Sequence, residues 1–137
     1  MDMNTEMEQM LKQPVYNKID PENIVRIQDF LDEQKKKPYY DIKEVVGQEL
    51  TVIGSDIRIL SNGFDLYTPE FCVYSSPMNG ASIALDRILP KEKAEAYKMG
   101  DVAKSFFYIF NKPIKLRITI EKAMVFFKRY NFEVLDE

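Results

Sequence analysis

Residues 112 to 122, KPIKLRITIEK, alternate apolar and polar side chains: Ile114, Leu116, Ile118 and Ile120 fall on one side of an extended chain, Lys115, Arg117, Thr119 and Glu121 on the other. Period two is the mark of a strand with one face on a core and one in water. The chain is thereby committed to a sheet that must bury one side. The next apolar stretch continues the pattern, with Tyr130, Phe132 and Val134 on one face and Phe127, Arg129, Asn131 and Glu133 on the other. These two strands read as an antiparallel pair.

The same period occurs earlier. In ELTVIGSDIRIL, residues 49 to 60, Leu50 and Val52 share a face, and Ile57 and Ile59 share one after a phase slip at Gly54 and Ser55. A glycine with a phase slip inside a strand predicts a bulge or sharp bend. Ser61-Asn62-Gly63 is a turn signal, and FDLYTPEFCVYSS should return antiparallel, with Pro69 imposing a break or an edge position. A second turn at Pro77-Met78-Asn79-Gly80 leads into ASIALDR, read as a short third strand. After Pro90, KEKAEAYKM is rich in helix formers and ends at Gly100, while DVAKSFFYIF has Asp101 as a possible cap. One bent helix, two helices, or a helix followed by an apolar extended segment all satisfy that pattern.

Ahead of the strands, residues 20 to 37 predict a helix. Asp20 is placed as N-cap, Pro21 suits the first helical position, Glu22 favours the positive end of the macrodipole, and Pro38 stops the run. Ile24, Ile27, Phe30 and Leu31 recur at helical spacing and Val25 widens the stripe. Lys35, Lys36 and Lys37 suit the C-terminal end of such a helix, and are equally a candidate binding patch. Residues 1 to 19 have no clean period and are expected to fray or to lie over the domain.

Helix, three strands, helical insert and two strands is the expected order, with residues 45 to 137 as the main domain. The fold class is mostly β with added helices. Three meandering strands, a helix, then a hairpin, with a glycine-bent first strand at Gly54, resemble the OB-fold, a five-stranded partly open barrel. The resemblance covers residues 45 to 136, about two-thirds of the chain, and rests on element order. Small single-stranded DNA-binding proteins of bacteriophage and mobile elements are similar in arrangement. What this implies is a non-catalytic binder of single-stranded nucleic acid, with replication or host proteins as further partners. An α+β sandwich is the competing architecture.

Composition narrows the chemistry. The 137 residues include one cysteine, Cys72, and no histidine, which removes an internal disulfide, the usual zinc sites and the commonest general base. Nucleotide-binding glycine loops, nucleophile elbows and calcium-binding loops are missing from the sequence. An enzyme is therefore the poorest reading, with no cofactor or metal expected. Cys72, in the alternating FCVY, reads as a buried small hydrophobe. No apolar run is long enough to span a membrane, and the polar, acidic start MDMNTEMEQM is unlike a signal peptide, so a cytoplasmic location is expected, the host's if the protein is viral.

Charge is unevenly spread. Residues 1 to 34 carry eight acids against three bases, whereas residues 87 to 132 carry eleven bases against four acids. Single-strand binding needs cations for phosphates and exposed rings for bases. Candidate cations are Arg58, Lys112, Lys115, Arg117, Lys122, Lys128 and Arg129. Candidate rings are Tyr67, Tyr74, Phe127 and Tyr130, with Tyr67 and Phe127 assigned to the surface because they alternate with Leu66 and Phe126. Phe106, Phe107, Phe110, Phe126 and Phe132 are expected in the core, and Glu121 and Glu133 offer an ordinary explanation for the strand cations. The second functional class is a protein-binding module, such as a phage-encoded inhibitor or an assembly subunit, acting through Asp29, Asp32 and Glu33 of the acidic helix. An exposed first or last strand could also pair with another copy of the chain.

Overall fold

The computed structural model describes residues 16–61, 63–75, 80–99, 105–124 and 127–135, without the side chains of residues 122–124, 127 and 128. Asn62, the turn at 77–79, Gly100, Asp101, Phe126 and most of the amino-terminal segment lie outside the described residues. The chain is mostly β, with strands β1 (Tyr39–Asp41), β2 (Glu49–Arg58), β3 (Gly63–Tyr67), β4 (Cys72–Ser75), β5 (Ala94–Met99), β6 (Ser105–Met124) and β7 (Phe127–Val134). Among the described residues two α-helices, α1 (Pro21–Lys35) and α2 (Ala81–Ile88), accompany them. One seven-stranded sheet runs in the order β1-β4-β3-β2-β6-β5, and β7 also pairs with β6. The path is open, so the sheet is not a closed barrel.

β6 is the spine of that sheet. It combines DVAKSFFYIF from Ser105 onward with KPIKLRITIEK in one strand of 20 residues. β2 pairs antiparallel along one edge, from Arg58 opposite Ser105 to Glu49 opposite Arg117. The other edge is shared by β5, opposite Ser105 to Phe110, and β7, opposite Leu116 to Met124. Val52 faces Ile114 and Gly54 faces Ile109, so Ile53 alone stands across from residues 110 to 113. Pro113 has no N–H for the ladder, which favours such an irregularity at that point. The expected phase slip in β2 therefore lies beside Gly54, and the excess residues are on its partner.

Three local expectations are corrected. ASIALDR is the helix α2: Ala81, Leu85 and Leu89 are buried at four-residue spacing, and Ile83 is exposed. So short a run satisfies both periods, and burial against the sheet selects the helical one. Conversely, residues 94–99 form the strand β5 after a single 3₁₀ turn at Lys91–Lys93. Pairing with β6 outweighs the helix propensity of AEAYKM, which sums to little over six residues, because it satisfies the backbone and buries Ala96 and Tyr97. Pro69 lies in a tight reversal between β3 and β4, closed by Thr68 N–H donating to the Phe71 carbonyl at 2.9 Å and Phe71 N–H donating to Thr68 Oγ1 at 3.0 Å. What looked like one broken strand is a hairpin.

Each face of the sheet has its own core. On one side Leu50, Val52, Ile57, Phe64, Leu66, Val73, Tyr108, Phe110, Ile114, Leu116, Ile118 and Tyr130 pack with α2, and Phe132 stacks edge-on against Phe64 at 5.6 Å. Phe106, Phe107, Phe110 and Phe132 are thus buried or half-buried, as expected of large rings in a small domain, with Phe107 on the opposite face from the other three. On the other side α1 lies over Tyr67, Cys72, Tyr97 and Phe107, with Ile27, Phe30 and Leu31 pointing down. Asp20 caps it, accepting from Asn23 N–H at 2.9 Å. The apolar stripe of α1 is narrower than its sequence suggests, because Ile24 and Val25 remain 52% and 58% exposed. Ahead of the helix, Asn17 N–H donates to the Ala96 carbonyl on the outer edge of β5.

Gly54 is where α1 meets the sheet. A Cβ there would lie 2.6 Å from Phe30 Cζ and 2.9 Å from the Tyr108 carbonyl oxygen. The second clash is with backbone and cannot be relieved by a rotamer. Gly54→Ala is expected to destabilise the protein by about 1–3 kcal/mol in urea unfolding. Combining it with Phe30→Ala should cost less than the sum of the two single changes, since the ring clash disappears.

Candidate functional site

The lower half of the sheet, where β2, β6 and β7 run side by side, presents its polar face to solvent. Glu49 and Thr51 of β2 face Arg117 and Lys115 of β6. Beyond them Arg117 pairs with Glu133, Thr119 with Asn131, and Glu121 with Arg129. Alternation in three strands thus builds one surface of lysine, arginine, threonine, asparagine and glutamate. Lys112 stands exposed at the irregularity where β6 bends.

Every described cation on the paired rows has a carboxylate at hand. Glu49 is 3.4 Å from Lys115 Nζ and 4.0 Å from Arg117 Nη2, and Glu121 accepts from Asn131 at 2.7 Å while standing opposite Arg129. Ion pairs this exposed contribute about 0–1 kcal/mol and are readily exchanged for another anion. Lys115 and Arg117 share the face with Arg129, but Arg117 and Arg129 are separated by the Thr119–Asn131 row. Four residues of strand put them about 13 Å apart along β6. Lys122 and Lys128 are cross-strand partners, and Phe127 pairs with Met124. Their side chains lie outside the described residues.

Two candidates are displaced from this surface. Tyr67 is only 2% exposed, because α1 covers the face to which it points and Phe30 meets its ring at 5.4 Å. Its alternation with Leu66 was read correctly, but both faces of β3 are buried, so its ring has no access to a base. Burial also pushes its hydroxyl pKa upward. Arg58 is a shared counter-charge, with Nη1 at 3.1 Å from Asp56 and 3.4 Å from Asp65 across the β2–β3 ladder. Of the other proposed rings with described side chains, Tyr130 is core and Tyr74 is exposed on β4, opposite Asp41 of β1.

Other sequence candidates sit apart from this face. Lys35 and Lys36 reach back to Asp32 and Glu33 of their own helix, and Lys37 donates to Gln34 Oε1 and the Thr68 carbonyl, as a helix terminus would. Asp32 and Glu33 are thereby engaged, whereas Asp29 has no ion pair among the described residues. Cys72 is fully buried, with Sγ at 3.6 Å from the Gln34 carbonyl, and burial raises its thiol pKa. Among the described residues no cluster of acids and cysteine could hold a metal, and no helix is long and apolar enough to cross a membrane. Glu49 was missed because only the β2–β6 register brings it between two cations. No protein-family model matches this chain, and no curated protein or solved structure matches it.

Asp56 and Asp65 are raised above the ordinary carboxylate range by desolvation, against the pull of Arg58. Since the native values exceed those of the unfolded chain, the native protein binds more protons through that interval. The resulting penalty is full at neutral pH and falls away as pH drops through the two native values. Arg58→Ala strips the shared counter-charge from both. It should cost about 2 kcal/mol at neutral pH, less than for a deeply buried pair because the arginine is 35% exposed. The deficit should shrink in urea unfolding repeated at about pH 4.

Proposed function

We propose that the chain is a non-catalytic protein that binds single-stranded nucleic acid along the open β2–β6–β7 face of an OB-like sheet. The observation that carries this reading is the exposed surface on which Lys115, Arg117 and Arg129 alternate with Thr51, Thr119 and Asn131, uncovered by either helix. Cations supply the phosphate attraction, and hydroxyl and amide groups supply hydrogen bonds to phosphate and sugar oxygens. The neighbour relations β4-β3-β2-β6-β7 follow those of an OB meander and its closing hairpin.

This surface is built for backbone contact more than for reading bases. With Tyr67 and Tyr130 buried, stacking on the described strands is reduced, and affinity rests on charge. Glu49 holds Lys115 and Arg117 in weak pairs, and Glu121 and Glu133 stand across from Arg129 and Arg117, until a phosphate displaces them. Such binding should be sequence-tolerant and salt-sensitive.

Fluorescence anisotropy with a labelled oligothymidylate tests the reading directly. If Lys115, Arg117 and Arg129 each neutralise one phosphate, the logarithm of the association constant should fall with the logarithm of salt at a slope of about −2. The triple alanine variant at these positions should abolish binding. Glu49→Gln, which releases two cations without removing either, should tighten it severalfold. Undetectable binding at low salt would exclude this function.

A further inference from the structure

A groove of about 510 Å³ runs along one side of α1, with Glu22, Val25, Asp29 and Glu33 on its helical wall. Phe30 and Ile109 of β6 add apolar surface below. Arg26 also borders it, but its Nε and Nη2 are both committed to Glu95, with Nη2 at 2.7 Å from Glu95 Oε1. That pairing holds the Glu95 carboxyl below its ordinary pKa. The uncommitted charge of the groove is therefore negative. Glu22 and Asp29 have no ion pair among the described residues, and Glu33 has only the exposed Lys36 at 3.0 Å.

The apolar part is preformed. Phe30 is held edge-on by Tyr67 at 5.4 Å and Phe107 at 5.7 Å, and its tip rests over Gly54. Val25, 58% exposed, sits on the wall with no described side chain covering it. A rigid apolar floor avoids the ordering that weakens binding to mobile surfaces. From Glu22 to Glu33 the carboxylates span about 16 Å of helix axis, which matches a facing helix with cations one turn apart.

We propose that this groove docks a cationic amphipathic helix of a partner protein, with branched aliphatic side chains on Val25, Phe30 and Ile109 and lysines or arginines on Glu22, Asp29 and Glu33. Sign excludes nucleic acid from the site, since a polyanion would meet three carboxylates. Residues 1 to 15 of this chain are disfavoured as occupants for the same reason, carrying Asp2, Glu6 and Glu8 against Lys12. The proposal is independent of the nucleic-acid reading, because it uses the opposite charge and a different part of the sheet.

The probe is a fluorescent 18-residue peptide of lysine and leucine at helical spacing, titrated with the full chain and followed by anisotropy. Saturable one-to-one binding is expected. Val25→Ser should weaken it about fivefold by removing the apolar contact without adding charge, and the combined Glu22→Gln, Asp29→Asn and Glu33→Gln variant should weaken it at least about tenfold. These side chains are exposed on the helix surface, and an unchanged thermal unfolding curve would confirm that both variants fold. The triple alanine variant at Lys115, Arg117 and Arg129 should bind the peptide as the parent does. Equal affinity for a lysine–serine peptide of the same charge, or binding indifferent to both groove variants, would overturn the proposal.

Discussion

β6 carries backbone partners on both edges at once, β2 along one and first β5, then β7 along the other, and this double pairing determines where everything else can go. A strand so long must bend if its two halves are to cover one core. The bend falls at residues 110 to 113, where Ile53 alone faces them and Pro113 contributes no donor. Ahead of the bend, β6 is buried on both faces, by Tyr108 and Phe110 toward α2 and by Phe107 toward α1. Beyond it, Ile114, Leu116 and Ile118 still face the core, but Lys115, Arg117 and Thr119 meet solvent. One strand thus joins a two-sided core to a one-sided surface.

The helix α1 divides the outer face of the sheet by chemistry. It covers the rows from Tyr97 through Phe107 to Tyr67 and Cys72, and stops short of the charged rows. Its close approach depends on Gly54, where any side chain would collide with Phe30 and the Tyr108 carbonyl. At the margin of this covered zone sit Asp56 and Asp65, desolvated and sharing Arg58. They are the part of the sheet where charge is most costly, and their geometry reads as an internal balance in place of a ligand site.

Two surfaces of opposite sign therefore share one small domain. The strand face offers cations in weak pairs with glutamates, and the α1 groove offers carboxylates above a rigid apolar floor. Exposed ion pairs contribute little, so both surfaces can exchange internal partners for external ones at small expense. Separate signs also keep the two from competing for the same ligand. A nucleic acid held on the strands would leave α1 open to a protein.

Much of this organisation was legible from residue order. Alternation in KPIKLRITIEK identified the buried set of β6 and its solvent-facing cations, Asp20 and Pro38 bounded α1 to within a few residues, and Gly54 marked the irregularity in β2. These signals are local, carried by period, capping and backbone chemistry, and need no knowledge of the neighbours. What the tertiary structure decided was pairing. ASIALDR became a helix and AEAYKM a strand because burial and ladder bonds outweigh small intrinsic preferences over so few residues. Tyr67 lost its surface because a helix far away in sequence covers it, and Lys115 and Arg117 acquired Glu49 between them because β2 lies alongside β6. Period tells which side of a strand a residue is on; only packing tells what stands opposite that side.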